Sequence, residues 1–168
     1  MGKLETMLDY TIEVTNPGEP SVVTLIEELD AYLTALYPAE SNHLASIEML
    51  CQPHVRFLTA RTEEGERIAC ASCFLYDSYA ELKRMYVRPA FRGNGVAFAL
   101  LSHLEEFAGS RGIPYLRLET GIYQAEALRF YEKCGYEYRG SFGSYPDDVL
   151  SRFMEKSLQN AQPRTNEG

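Results

Sequence analysis

The sequence predicts an α/β fold: one mixed, mainly antiparallel sheet with helices on both faces. Three observations carry that expectation. Residues 55–87 hold three strand-like runs divided by short turn signals, and apolar-periodic helical runs starting near Val22 and at Val96 flank them. A glycine-rich junction, Arg92-Gly93-Asn94-Gly95-Val96-Ala97, leads from the last of those strands into the second helical run.

The elements follow in order. Residues 10–14, Tyr-Thr-Ile-Glu-Val, alternate apolar and polar character and stop at Asn16-Pro17-Gly18, so a first strand ends there in a turn. Ser21 is the expected cap of the first helix, whose apolar stripe is Val22, Leu25, Ile26, Leu29, Leu33 and Leu36, with Pro38 just past its end. Tyr32, Tyr37 and Glu40 lie near that end; aromatic residues at helical spacing more often pack than bind, and packing is the expected role. Residues 44–50 predict a second, shorter helix stopped before Pro53. Strands at 55–61 and 66–76 flank the hairpin loop Thr62-Glu63-Glu64-Gly65, and Asp77-Ser78 turns the chain into a third strand at 79–87. The helix at 96–110 should bury Leu100, Leu101, Leu104 and Phe107, expose Glu105 and Glu106, and end at Gly112-Ile113-Pro114. A strand at 115–120, a helix at 124–134 with Gly135 as its C′ residue, and paired strands at 136–140 and 151–158 complete the order. Residues 141–150 form the connecting loop. Residues 1–158 are expected to form a single domain, with a disordered polar tail at 159–168.

Composition narrows the function. At 168 residues and 45% hydrophobic, the chain can bury one sizeable core and is too short for two ordinary domains. No apolar run approaches the roughly 20 residues needed to span a bilayer. The start, Met1-Gly2-Lys3-Leu4-Glu5, lacks a signal-like apolar region, and with Thr6 it matches a myristoylation pattern only loosely. The expectation is a cytoplasmic protein without a membrane partner. A net charge of -8 and a pI near 4.9 argue against an extended nucleic-acid surface and favour cationic partners. Cys70 and Cys73 are spaced like half of a zinc or redox site, but three residues apart on a strand they point to opposite faces. With Cys51 and Cys134 they read as reduced structural thiols, and His43, His54 and His103 have no second ligand at a metal-like spacing, so no metal is expected.

The junction is the strongest functional signal. Gly93 and Gly95 permit positive φ and close backbone approach, the amides opening the helix have no intrahelical acceptors, and Arg92 supplies a charged fork, a combination suited to phosphate. A P-loop would carry Lys-Ser or Lys-Thr where Val96-Ala97 stands. A dinucleotide fingerprint would carry a third glycine and an apolar strand in place of Glu-Leu-Lys-Arg-Met-Tyr-Val.

Arg92, Gly95 and Ala97 match the pattern Arg/Gln-x-x-Gly-x-Gly/Ala, by which the chain resembles the GNAT superfamily of N-acetyltransferases. The resemblance extends over most of the chain, through residues 82–87 before the motif and 127–131 and Gly135-Tyr136 after it. It implies acetyl-CoA as co-substrate and a primary amine as acceptor, acetylated by direct attack in a ternary complex. It assigns cofactor binding to Arg92, Gly93, Asn94, Gly95, Val96 and Ala97, together with main-chain atoms of Met85, Tyr86 and Val87 along the pantetheine arm. It also implies that the Met85 amide polarises the thioester carbonyl, and that Tyr131 protonates the departing thiolate. Glu81 falls where one branch of the family carries its general base, although Lys83 on the same strand face offers a simple ion pair; Glu119 is the second candidate. Gln124 departs from the family's Asn-x-x-Ala, which puts its contact with pantetheine in question. A non-catalytic module that holds an acyl-CoA is the alternative. The acceptor is expected to be cationic, with the loop pair Asp147-Asp148 contributing negative potential, and a homodimer is left open.

Overall fold

Among the described residues, seven strands form one sheet: β1 (Tyr10–Val14), β2 (Val55–Thr62), β3 (Arg67–Leu75), β4 (Ala80–Val87), β5 (Tyr115–Gly121), β6 (Glu137–Arg139) and β7 (Ser151–Ser157). Their spatial order is β1-β2-β3-β4-β5-β7-β6, antiparallel throughout except for the parallel pair β4 and β5. The computed structural model describes residues 7–159. The Met1-Gly2 start and all of the expected disordered tail except Gln159 lie outside the described residues.

Among the described residues, four α-helices cover the two faces: α1 (Pro20–Leu36), α2 (Ile47–Leu50), α3 (Val96–Ser110) and α4 (Ala125–Lys133). The period-2 pleat divides β3 between them. Cys70 and Phe74 pack with Val22, Leu25, Ile26 and Leu29 of α1, whereas Ala69, Ala71 and Cys73 pack with Leu100, Leu101 and Leu104 of α3. The two cysteines therefore diverge as expected. Both are free thiols, pushed up to about 12 by burial.

Three local expectations are corrected. Helix α1 starts at Pro20 with Glu19 as N-cap, because proline has the φ of a first helical residue and no amide to satisfy. Ser21 instead accepts a hydrogen bond from Arg67 Nε at 2.9 Å. Helix α2 is a single turn rather than a helix from 44: the Ser46 hydroxyl caps the Met49 amide at 3.2 Å, and residues 42–46 form no regular element. Glu105 is not turned to solvent, since Lys156 Nζ and the Tyr136 hydroxyl donate to it at 2.9 and 3.0 Å.

The sheet is incomplete between β4 and β5. β4 and β5 pair only from Ala80–Leu82 against Leu116–Leu118, and beyond that register they diverge. On its other edge β4 carries a bulge: Cys70 pairs with Tyr86 and Ser72 with Lys83, so one extra residue is accommodated on β4. Arg84 sits in that bulge with φ 62°. Among the described residues, no helix is long and apolar enough to cross a membrane.

Candidate active site

The wedge between β4 and β5 opens a cleft of about 880 Å³. It runs through the sheet from the side of α3 and α4 to the side of α1 and the segment 41–45 that follows it. Met85, Tyr86 and Val87 line its length, with Leu118, Glu119 and Thr120 across the gap. Because β4 and β5 pair no further than Leu82 and Leu118, the main-chain groups of Met85 to Val87 and of Glu119 and Thr120 face the cleft without a strand partner on that edge.

At the α3 end the glycine junction lies in the cleft wall. Gly93 and Gly95 have φ of 84° and 76°, and a Cβ built on either would meet nothing within 4 Å. Their glycine identity thus serves the left-handed backbone and the open space in front of it, not packing against protein. Gly95 is the N-cap of α3, so the amides of Val96 and Ala97 point outward without intrahelical acceptors. Arg92 is anchored by its Nε to the Val87 carbonyl at 3.0 Å, which leaves its terminal nitrogens for an anion. Asn94 differs from its neighbours: its amide donates to the Phe91 and Arg92 carbonyls at 2.9 and 3.4 Å, and the side chain holds the turn.

Tyr131 lines the cleft from α4, packed against Phe130 and Tyr136 with ring centroids 5.2 and 5.8 Å away. Burial pushes its phenol up, so it stays protonated at neutral pH, and its hydroxyl makes no hydrogen bond to another described residue. Gln124 presents its amide oxygen inward, accepting from the Gly121 amide at 3.1 Å, Thr120 Oγ1 at 3.3 Å and the Tyr37 hydroxyl at 3.3 Å. That leaves its NH2 group as the one available for a ligand. Tyr37 also accepts from the Tyr123 amide at 3.2 Å and stacks on the Tyr123 ring. Both tyrosines line the cleft, but Tyr37 is 7% exposed and suits the expected packing role, whereas Tyr32 is 43% exposed.

The two carboxylate candidates have different surroundings. Glu81 is 4% exposed and is not part of the cleft wall. The Tyr145 hydroxyl donates to it, and Lys83 Nζ lies 3.5 Å away while donating to Tyr145 at 2.7 Å. Glu119 does line the cleft, one residue past the last β4–β5 pair, and burial raises its carboxyl above the usual carboxylate range. His43 approaches from the segment after α1, its ring edge-on to Tyr145 at 5.2 Å. Asp147 and Asp148 are not in the cleft wall. Ser141 donates to Asp147 at 3.0 Å, and Asp148 accepts from Ser41 Oγ at 2.6 Å and the Leu150 amide at 2.9 Å, bonds that hold its carboxyl below the usual range. The pair organises loops, and Asp148 ties the 141–150 loop to the segment after α1. Among the described residues, no group of three or more His, Cys, Asp and Glu side chains is placed to hold a metal ion.

The family model described as Acetyltransferase (GNAT) family matches residues 22–136. The chain belongs to this family and is one of its N-acetyltransferases. An IAA acetyltransferase from Azospirillum brasilense is 46% identical over 154 residues, which span 90% of this chain and 100% of that protein. A candidate acyl-CoA N-acyltransferase from Klebsiella pneumoniae, known as a crystal structure, superposes with a TM-score of 0.76 at 35% identity, covering 89% of this chain and 97% of its own. The PaiA N-acetyltransferase of Thermoplasma acidophilum, solved in complex with coenzyme A, shares the fold with a TM-score of 0.69 at 18% identity, over 89% of this chain and 99% of that one.

Three site residues carry no sequence signal of their own. Tyr145 and His43 come from segments without periodicity, and the positive φ of Arg84 sits in a run that reads as regular strand.

Proposed function

We propose that the chain acetylates a primary amine from acetyl-CoA by direct attack in a ternary complex. The observation that carries this reading is the wedge between β4 and β5, which brings the main chain of Met85 to Val87, the glycine-led start of α3, Tyr131 and Glu119 into one cleft. The pyrophosphate is held by the amides from Gly93 to Ala97 and by Arg92, and the pantetheine arm bonds the exposed edge of Met85, Tyr86 and Val87. The Met85 amide, beside the bulge, donates to the thioester oxygen, where negative charge develops. A neutral amine attacks the carbonyl carbon, the C–S bond breaks, and the sulfur leaves as thiolate. Tyr131 donates its phenolic proton to that sulfur, the nitrogen releases its surplus proton to solvent as the amide forms, and Tyr131 is reprotonated from solvent.

Glu119 is the better supported base. It faces the cleft, and its raised carboxyl is closer in affinity to the ammonium proton it removes than an ordinary glutamate would be. Glu81 then acts one step back, holding Tyr145 in place. A protonated amine meets Glu119 as a cation, so the acceptor proposed is cationic. An acidic chain with no membrane-spanning helix among its described residues also suits action in the cytoplasm, without nucleic acid or membrane as partner. The test is a panel of diamines, amino sugars, lysine-like amines, neutral amines, anionic amino acids and IAA, followed by acetyl-CoA-dependent release of CoA. Release with cationic amines above all others is the expected result. A panel in which no amine accelerates release, or in which anionic acceptors lead, refutes the reading.

A further inference from the structure

Arg84 occupies a position that glycine would fill more readily. A bulge that needs positive φ is an ordinary place for a residue without Cβ, yet among the described residues Arg84 is the one non-glycine residue with positive φ. Its side chain supplies something glycine lacks. Only 5% exposed, the guanidinium donates through Nε and Nη2 to the Ala45 carbonyl at 2.9 and 2.7 Å, and through Nη1 it pairs with Asp30 of α1. Ala45 is itself buried and closes the segment 41–45, every residue of which lines the cleft on the side of α1. The backbone of the same residue is the bulge next to Met85, and its carbonyl accepts from the Cys70 thiol at 3.2 Å.

The segment has few other ties to the sheet. Its internal bonds run back to Pro38, Ala39 and Tyr37, and Ser41 reaches Asp148 on another loop. Arg84 joins it to β4 itself. The geometry points to Arg84 as a positioning residue that registers the two substrates against each other: its backbone presents the Met85 amide to the thioester, and its guanidinium sets the wall against which the amine sits. A near-attack geometry depends on both, because the reacting atoms must meet at about 3–3.5 Å. This inference rests on the proposed acetyl transfer to an amine, and its two halves are read without turnover.

The experiment combines hydrogen exchange with acetyl-CoA calorimetry on the full chain carrying Arg84→Gly, Arg84→Ala or Arg84→Lys. Glycine keeps the left-handed backbone and deletes the anchor, so amides at 41–46 should exchange at least about tenfold faster while the acetyl-CoA Kd stays within about twofold. Alanine deletes the anchor and also disfavours the bulge, so the same loosening should come with an acetyl-CoA Kd raised at least about fivefold. Lysine should restore part of the protection at 41–46, since its ammonium can reach one of the two partners. With the best amine, Arg84→Gly should raise KM for the amine at least about fivefold and change kcat less than about threefold, a split that a purely structural residue would not produce. Unchanged exchange at 41–46 in Arg84→Gly, or an acetyl-CoA affinity lost equally in the glycine and alanine variants, overturns the assignment. Should the glycine variant not fold, Asp30→Ala removes one arm of the anchor and must speed exchange at 41–46 without altering the acetyl-CoA Kd; no change there overturns it as well. The expected exchange pattern in a protein that acetylates no amine would instead refute the proposed function and leave the positioning role standing.

Discussion

Replacing Gly121 by alanine should unlock the Tyr37 clamp. A Cβ at Gly121 would lie 1.8 Å from the Tyr37 hydroxyl oxygen and 2.0 Å from the ring carbon that bears it, so the ring must move by more than an ångström. Gly121 does not have a positive φ, and the effect is therefore steric, not backbone strain. Tyr37 cannot swing aside freely, since it is 7% exposed and stacked on Tyr123. Displacement breaks its two hydroxyl hydrogen bonds, to Gln124 and from the Tyr123 amide, worth about 1 kcal/mol each. Overpacking adds about 1–3 kcal/mol, and the sum allowing for partial relaxation is about 2–4 kcal/mol. For a chain of this size that lowers Tm by about 5–15 °C. Thermal unfolding of the wild type, Gly121→Ala, Tyr37→Ala and the double variant measures it. In the double variant the added methyl meets space vacated by the ring, so the two losses should fall short of additivity by at least about 1 kcal/mol. A Tm within about 2 °C of wild type, or strictly additive losses, would refute the reasoning.

The remaining predictions concern the reacting groups. Tyr131→Phe should lower kcat by about 100-fold with little change in acetyl-CoA affinity, and an unaltered kcat would return Tyr131 to a packing role. Gly95→Val should abolish the rise in Tm that acetyl-CoA produces, because a β-branched residue disfavours φ near 76° and fills the open space before α3; calorimetry showing an undiminished Kd in the folded variant would refute the cradle. Burial raises the Glu119 carboxyl in the folded state, so the native protein binds that proton more tightly than the unfolded chain, and stability should fall as pH rises through the interval between the two values. Glu119→Gln should remove that dependence and also the acidic limb of kcat/KM, whereas Glu81→Gln should leave the limb in place; the opposite pattern would reinstate Glu81 as the base.

How much of this was legible in the sequence depended on whether the signal was local. The apolar period of α3, the turn signals that bound β2 to β4 and Gly135 as the C′ residue of α4 are written within a few residues, and those elements appear within one or two residues of expectation. The glycine junction was legible as a strand-to-helix turn because its two glycines and the start of α3 fall within six consecutive residues. Helix α2 was overextended because Leu44 and Ala45 are apolar for a different reason, namely that they face the cleft and the α1 core. The choice between Glu81 and Glu119 was not legible. Glu81 is withdrawn by Tyr145, 64 positions away in the chain, and Glu119 is admitted by the end of β4–β5 pairing, which is a property of register and not of composition.

The distribution of charge along the cleft suits the proposed placement of the two substrates at opposite ends. An overall charge of -8 attracts cations without directing them. Within the cleft wall, however, the basic residues are differently committed: Arg84 is paired with Asp30, and Lys83 with Glu81 and Tyr145, so neither presents a free charge to the side of α1. Arg92 keeps its terminal nitrogens available at the start of α3, where the helix dipole has the same sign. On α4, Glu126 and Arg129 stand three residues apart and offset each other. What remains is positive potential where a pyrophosphate would lie and a half-buried carboxyl, Glu119, where an amine would enter. If the acceptor is the cationic amine proposed above, the pairs that silence Lys83 and Arg84 would be part of the selectivity, because either cation left unpaired on that side of the cleft would oppose a protonated amine.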